Sequence, residues 1–295
     1  MHLDKAVISQ MKPNWRSSDS TLKRAIEMGN AEEVEKHIIA AQELMNRNQF
    51  KPRDFSLIIN SLSKAKDLQS INREYIKGIL GQLDLKMKKN PAFVSALVPL
   101  DTALIMNGLG RFYSTADEAG QRICGSLVRN IAEQIPTKLP LFQDHHLAMI
   151  LHALSKTRVG SANHIAAEIV REIEQCRDLD SFTPQSVIMI ASAITSLQLR
   201  KTPELVSLWK SVFKRVIGFR DPDYQPKWPG ILLKAIAYSE LNAQEVPREF
   251  VKEMVKRNSN FFEQRGIDRD FHDATLRAAN KIEMNLEIVE NSIII

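Results

Sequence analysis

The stretch Gln143–Thr157, QDHHLAMILHALSKT, decides how this chain is read, because four other stretches repeat its pattern. They are KPRDFSLIINSLSKA from Lys51, VPLDTALIMNGLGRF from Val98, TPQSVIMIASAITSL from Thr183 and QPKWPGILLKAIAYS from Gln225. Superimposing Leu62, Leu109, Leu154, Ile194 and Ile236 gives intervals of 47, 45, 40 and 42 residues. Ten residues before each anchor stand Pro52, Pro99, Asp144, Pro184 and Pro226; four before it stand Ile58, Ile105, Ile150, Ile190 and Leu232. The residue just before it is always small: Ser61, Gly108, Ala153, Ala193, Ala235. Self-similarity at a period of roughly 20–50 residues marks a solenoid or array.

Each shared stretch predicts a helix. Leu57, Ile58 and Leu62, like Met149, Ile150, Ala153 and Leu154, form a helical stripe and not a strand alternation. The proline falls where a helix starts and needs no N–H; Thr183 before Pro184 is a cap. The small residue lets a neighbouring helix approach. Second amphipathic stretches follow at Ile71–Leu83, Glu118–Ile135, His164–Cys176, Pro203–Ile217 and Pro247–Arg257. The unit is thus a helix A, a turn and a helix B, which cannot bury its apolar face without a neighbour. The expected fold is all-α: an α-solenoid of about five helical hairpins with partial capping repeats. Residues 1–19 form an N-terminal extension, 20–50 a capping hairpin (Leu22–Met28 and Ala31–Met45), 51–258 the array and 259–295 a partial repeat and tail. In that last part Leu276–Ala278 matches Leu233–Ala235 at an offset of 43, and the apolar Ile288–Ile295 is read as a β-like or docking segment.

Composition narrows the classes. With 44% hydrophobic residues, 11 glycines and 12 prolines the chain can pack a core and is neither disordered nor β-rich. No apolar run approaches a membrane span. Cys124 and Cys176, both in expected B helices, read as buried small hydrophobes in a reducing compartment. The net charge of +5 is uneven: residues 51–113 carry ten Lys/Arg against five Asp/Glu, and 181–258 carry twelve against seven. Two basic blocks on a solenoid could follow a polyanion, or could only keep the surface soluble. The N terminus lacks an apolar signal core and makes a weak organellar presequence.

Chemistry is mostly missing. The seven histidines form no HExxH, no CxxC exists, and there is no P-loop, GxGxxG or GxSxG, so neither metal, cofactor, small-molecule substrate nor catalysis is expected. His145-His146 reads as an exposed helix start, and Asn107-Gly108-Leu109-Gly110 as a close-packing stretch. Asp221 and Asp223 lie in a polar loop without a partner base. The candidate site comes from the repeat. Two residues before the anchor stand Asn60, Asn107, His152, Ser192 and Lys234; two after it stand Lys64, Arg111, Lys156, Ser196 and Tyr238. Positions four apart share a helical face, so stacked units would align a polar ladder. Lys and Arg suit phosphates, Asn, Ser and His suit base edges, and Tyr suits stacking. The plainer alternative is the solvated face that every soluble solenoid has.

The phrases HLAMILHALSKTRV (His146–Val159) and DFSLIINSLSKAKDL (Asp54–Leu68) resemble the helix A phrase of organellar helical-repeat proteins, the octotricopeptide, heptatricopeptide and RAP-domain group, over about residues 51–258. The resemblance implies an organelle-targeted RNA binder, and some members of the group are mitochondrial ribosome subunits. The expected protein is therefore a mitochondrial RNA-binding component or factor of the ribosome, with rRNA and other proteins of a large assembly as partners. The period here is longer and less regular, and no RAP-like domain is read after Arg257, which favours folded or fragmentary RNA over a one-base-per-repeat code. The rival is a HEAT- or armadillo-like scaffold or accessory subunit, docking partners through Ile288–Ile295, Trp15 or Trp228.

Overall fold

Capping chemistry sets where the helices begin. A computed structural model describes residues 19–28, 30–46, 50–64, 73–160, 162–220 and 223–293. These residues are helical with short connections and contain no strand. Pro52, Pro99 and Pro184 open their helices, as the repeat predicts, and Asp144 opens the fourth. The carboxylate of Asp54 accepts the Lys51 N–H at 2.8 Å, and Thr183 Oγ1 accepts from Ser186 N at 3.2 Å. Asp117 and Thr202 cap the following B helices by accepting from Gly120 N at 2.9 Å and Leu205 N at 3.3 Å. Each such cap satisfies one of the four orphan N–H groups at a helix start and contributes about 1 kcal/mol. The fifth stretch departs from the register: its helix begins at Trp228, two residues after Pro226.

Contacts divide the chain into two compact units. The first comprises Met1–Phe142 and Lys156–Ser161, the second Gln143–Ser155 and Ala162–Ile295. The first holds α1 (Asp19–Glu27), α2 (Ala31–Asn46), α3 (Pro52–Leu62), α4 (Arg73–Lys89), the short α5 (Pro91–Ser95), α6 (Pro99–Thr115) and α7 (Glu118–Ala132), followed by a 3-10 segment, Pro136–Leu141. Here α1, α3 and α6 pack in order, as do α2, α4 and α7, so A lies beside A and B beside B. Then α8 (Asp144–Thr157) has its body in the second unit and its last two residues, Lys156 and Thr157, in the first. The second unit continues with α9 (Ala162–Cys176), α10 (Pro184–Ser196), α11 (Pro203–Ile217), α12 (Trp228–Ala237), α13 (Arg248–Arg265) and α14 (Arg269–Ile293). There α10, α12 and α14 pack in order on one side and α9, α11 and α13 on the other.

The shared positions are the core. Ile58, Ile105, Ile150, Ile190 and Leu232 are buried, and so are the five anchors and the five small residues before them. Each fully buried anchor contributes about 1.5–3 kcal/mol from apolar area alone. The small residues serve the approach of A to A. A Cβ on Gly108 would stand 2.5 Å from Ile59 Cγ2; outside that set, one on Gly230 would stand 2.5 Å from Thr275 Oγ1, where α12 meets α14. A buried polar brace reinforces the first contact: Asp101 Oδ1 takes Arg53 Nη1 at 2.8 Å and Ser56 Oγ at 2.7 Å.

Several expectations need correction. The stretch from Ile288 is helical as far as Ile293, because α14 runs unbroken with no glycine or proline to stop it. Thr275, Ala278, Ala279 and Ile282 are buried at spacings of three and four, the helical stripe of that element. Trp228 is 8% exposed and offers no docking aromatic, while Trp15 lies outside the described residues, as does Asp221. His146 is buried, not an exposed helix-start residue. Cys176 is exposed; only Cys124 is buried.

Candidate nucleic-acid interface

The two rows of the expected ladder lie in different environments. The residues after the anchor lie at or near the C-terminal ends of their A helices, on the rim of each. Lys64 lies in the turn after α3, Ser196 ends α10 and Tyr238 follows α12, while Lys156 is in the last turn of α8 and Arg111 stands one turn before the end of α6. Lys64, Arg111, Lys156 and Tyr238 are exposed, and Ser196 is half-buried. Cations here also meet the negative end of the helix dipole, a structural role that needs no ligand. Arg111 has such a role in part, since its Nη1 donates to Ser63 O at 3.3 Å. Among the described residues none of Lys64, Arg111 and Lys156 is within ion-pair distance of a carboxylate, and all three belong to the first unit.

The row before the anchor turns toward the seams between helices. Asn107 is buried; Asn60, His152, Ser192 and Lys234 are half-buried. Asn60 Oδ1 is buried with no hydrogen-bond partner among the described residues. Lys234 Nζ sits 4.1 Å above the Phe271 ring, and burial, then the nearby Arg277 charge, lowers its pKa from the ordinary lysine value. Lys234 is thus engaged in packing α12 on α14. Tyr238 carries Lys281 Nζ 4.4 Å from its ring centroid.

Many cations of the two basic blocks brace the fold. Lys86 Nζ donates to Phe50 O at 2.7 Å and lies over the rings of Phe55 and Phe93. Lys201 Nζ is 2.7 Å from Glu245 Oε2. Arg257 pairs with Glu253 at 2.6 Å and stacks on Tyr224. The formal charge excess therefore overstates what the surface offers to a polyanion.

One feature has no precursor in the ladder. Four residues after the anchors Leu154 and Ile194 stand Arg158 and Gln198, and both are left-handed, with φ of 45° and 51°. This is the position after a helix where glycine is favoured. Beyond Gln198, Leu199 N reaches back to Ile194 O, the long bond of a Schellman cap. Each residue lines a cavity in its own unit. In the first, Arg158 borders about 460 Å³ with Tyr113, Arg122, Ser126 and Arg129. In the second, Gln198 borders about 410 Å³ with Trp209, Lys201, Tyr238, Ser239 and Glu240. Sequence reasoning reached Tyr238 but missed the cavities. The signal available was a non-glycine residue where helix A must end.

The described residues contain no group of three or more His, Cys, Asp or Glu placed to hold a metal, and no helix long and apolar enough to cross a membrane. Burial pushes the Cys124 thiol up to about 12, the opposite of an activated nucleophile. No protein-family model and no curated protein matches the chain.

Proposed function

We propose that this chain is a non-enzymatic RNA-binding protein of the helical-repeat type: an α-solenoid of about five hairpins with partial caps, working in the mitochondrion as a component of its ribosome or a factor for it. The in-order packing of A on A and B on B within each unit supports the solenoid. The observation that carries the RNA reading is the row Lys64, Arg111 and Lys156, exposed at corresponding repeat positions with, among the described residues, no carboxylate within ion-pair distance. Asn60, His152, Ser192 and Tyr238 add polar and stacking contacts, while Asn107, which is buried, and Lys234, held over Phe271, serve the packing of the helices instead. Affinity is then largely electrostatic, from phosphate neutralisation and counterion release.

The double variant Lys64→Glu/Lys156→Glu tests this. It is expected to weaken binding of a single-stranded RNA and to flatten the slope of log affinity against log salt by roughly 1.4, for two lost phosphate contacts. Placing two carboxylates at the negative ends of helix dipoles should lower stability by only about 1–2 kcal/mol, leaving the protein folded. An unaltered salt slope in a folded double variant would sink the assignment.

One observation favours the scaffold reading. Val98, Leu100 and Leu141 are 53%, 37% and 66% exposed in the first unit. The segments that carry them are tied by Lys138 Nζ, which donates to Ser95 O at 2.8 Å and Leu97 O at 3.1 Å. Crosslinks from these residues to protein, with no RNA recovered from native extract, would transfer the conclusion to that reading.

A further inference from the structure

We propose that the second unit's cavity, bordered by Gln198, Lys201, Trp209, Tyr238, Ser239 and Glu240, holds one unpaired, amine-bearing nucleobase. This rests on the RNA reading above and adds a base-specific pocket to it. Its size, about 410 Å³, falls within the roughly 300–1,000 Å³ of small-ligand sites. Ile194, Leu199, Leu205 and Trp209, each under a tenth exposed, make its apolar floor. Tyr238 stands at the rim, 69% exposed even with Lys281 Nζ 4.4 Å from its ring centroid, as an aromatic with water to lose. Apolar walls and an exposed aromatic suit a flat heterocycle, which stacks whatever its sequence context.

Charge argues for a base and against a phosphate. Among the described residues bordering the cavity Lys201 is the one cation, and Glu245 holds its ammonium at 2.7 Å; Lys281, beyond the border, is held on the Tyr238 ring. Glu240 adds a carboxylate, of which Oε2 already takes the Lys201 backbone N–H at 3.0 Å. A carboxylate accepts hydrogen bonds and gives none, so it selects a base edge carrying an amine. Gln198 supplies an amide that both donates and accepts, from a backbone conformation disfavoured for its residue type. Strain of that kind clusters where a site needs a side chain placed. The first unit's cavity keeps the same left-handed position, there Arg158, and borders it with Arg129 and with Arg122, which Glu118 pairs at 2.8 Å. The scaffold is repeated while the chemistry is changed.

The test uses the full chain with fluorescein-labelled 12-nucleotide strands: oligo(A), oligo(U) and an abasic backbone. Oligo(A) should bind more tightly than oligo(U). Tyr238→Ala should lower affinity for oligo(A) by roughly 5- to 150-fold, the value of one base stack, and leave the abasic strand unchanged. Glu240→Gln should reduce the preference for A over U. An equal loss on the abasic strand, or no loss on any strand, overturns the pocket. Quenching of Trp209 by free adenosine, with Trp209→Phe as control, separates this failure from that of the wider reading. Quenching by adenosine without binding of any strand would overturn the RNA source and assign the site to a free nucleoside. Strand binding that ignores Tyr238→Ala would keep RNA binding and discard the pocket.

Discussion

Arg158 and Gln198 occupy the left-handed region at φ of 45° and 51°, where a side chain costs about 1–2 kcal/mol that glycine does not. Gly266, at φ 62° after α13, shows the ordinary solution to the same turn. Gln198→Gly should therefore raise stability by about 1 kcal/mol, less the extra chain entropy glycine brings to the unfolded state, while Gly266→Ala should lower it by a similar amount. Urea midpoints of the two variants check the pair, and a Gln198→Gly midpoint below that of the parent would refute the strain. His146 makes a second residue-level case. Its Nδ1 accepts from Gln143 N at 3.2 Å, which requires the neutral ring. Burial, then the charge of His145 whose ring centroid lies 4.1 Å away, pushes the His146 pKa from 6.5 down to about 4. Between those values the unfolded ring binds a proton that the folded ring refuses, so stability is present above pH 6.5 and lost as pH falls toward 4. The loss is on the order of 1–3 kcal/mol. His146→Asn keeps an acceptor but does not titrate, and denaturation midpoints from pH 7 to pH 4 should fall less steeply in that variant.

At the scale of elements, glycine has opposite meanings in two helices. In α6, a Cβ at Gly108 would lie 2.5 Å from Ile59 Cγ2 and 3.1 Å from Ile59 O, so the backbone of α3 would have to move. In α4, a Cβ at Gly81 meets nothing within 4 Å. Replacing glycine by alanine in a helix gains about 1 kcal/mol, and overpacking costs about 1–3 kcal/mol. Gly81→Ala should stabilise by about 1 kcal/mol, and Gly108→Ala should destabilise despite the same propensity gain; thermal melts of the two proteins compare the signs directly. The close-packing role of Gly108 was legible in the sequence because the repeat lined it up with Ser61, Ala153, Ala193 and Ala235. Helix starts were legible for a similar reason, since proline and cap residues act locally. Helix ends were not. The expected Pro247–Arg257 ends as a helix at Arg265, and the expected Phe271–Ala279 grows to Arg269–Ile293, because nothing local stops either before Gly266 or the end of the described chain. Burial of His146 was also hidden: a histidine beside another in the first turn reads as polar until packing decides which one faces inward.

Across the whole molecule, net charge of +5 is a poor guide to the charge a ligand would meet. Cations in this fold fall into two kinds, and the first unit holds both. Lys86 is turned inward, bonded to Phe50 O at 2.7 Å over two phenylalanine rings, and burial lowers its pKa. Lys64 is exposed on the rim of an A helix. The sequence counts them alike, both within residues 51–113, and only packing separates them, which is why the polar ladder could be located but not divided into bracing and outward groups beforehand. The same formal change should therefore act on different properties. Lys86→Gln removes one positive charge together with a part-buried hydrogen bond from a charged donor, worth about 1.5–3 kcal/mol. It should lower the melting temperature, and leave RNA affinity and its salt slope at the parent values. Lys64→Gln removes the same charge from solvent, where a surface substitution moves stability by no more than about 0.5 kcal/mol. It should preserve the melting temperature and flatten the salt slope by roughly 0.7 for one lost contact. Measuring both properties on both proteins gives a crossed comparison that a general charge effect cannot imitate: if binding followed net charge alone, the two slopes would shift together, and the rim would have no claim over the interior as the surface that meets the phosphates.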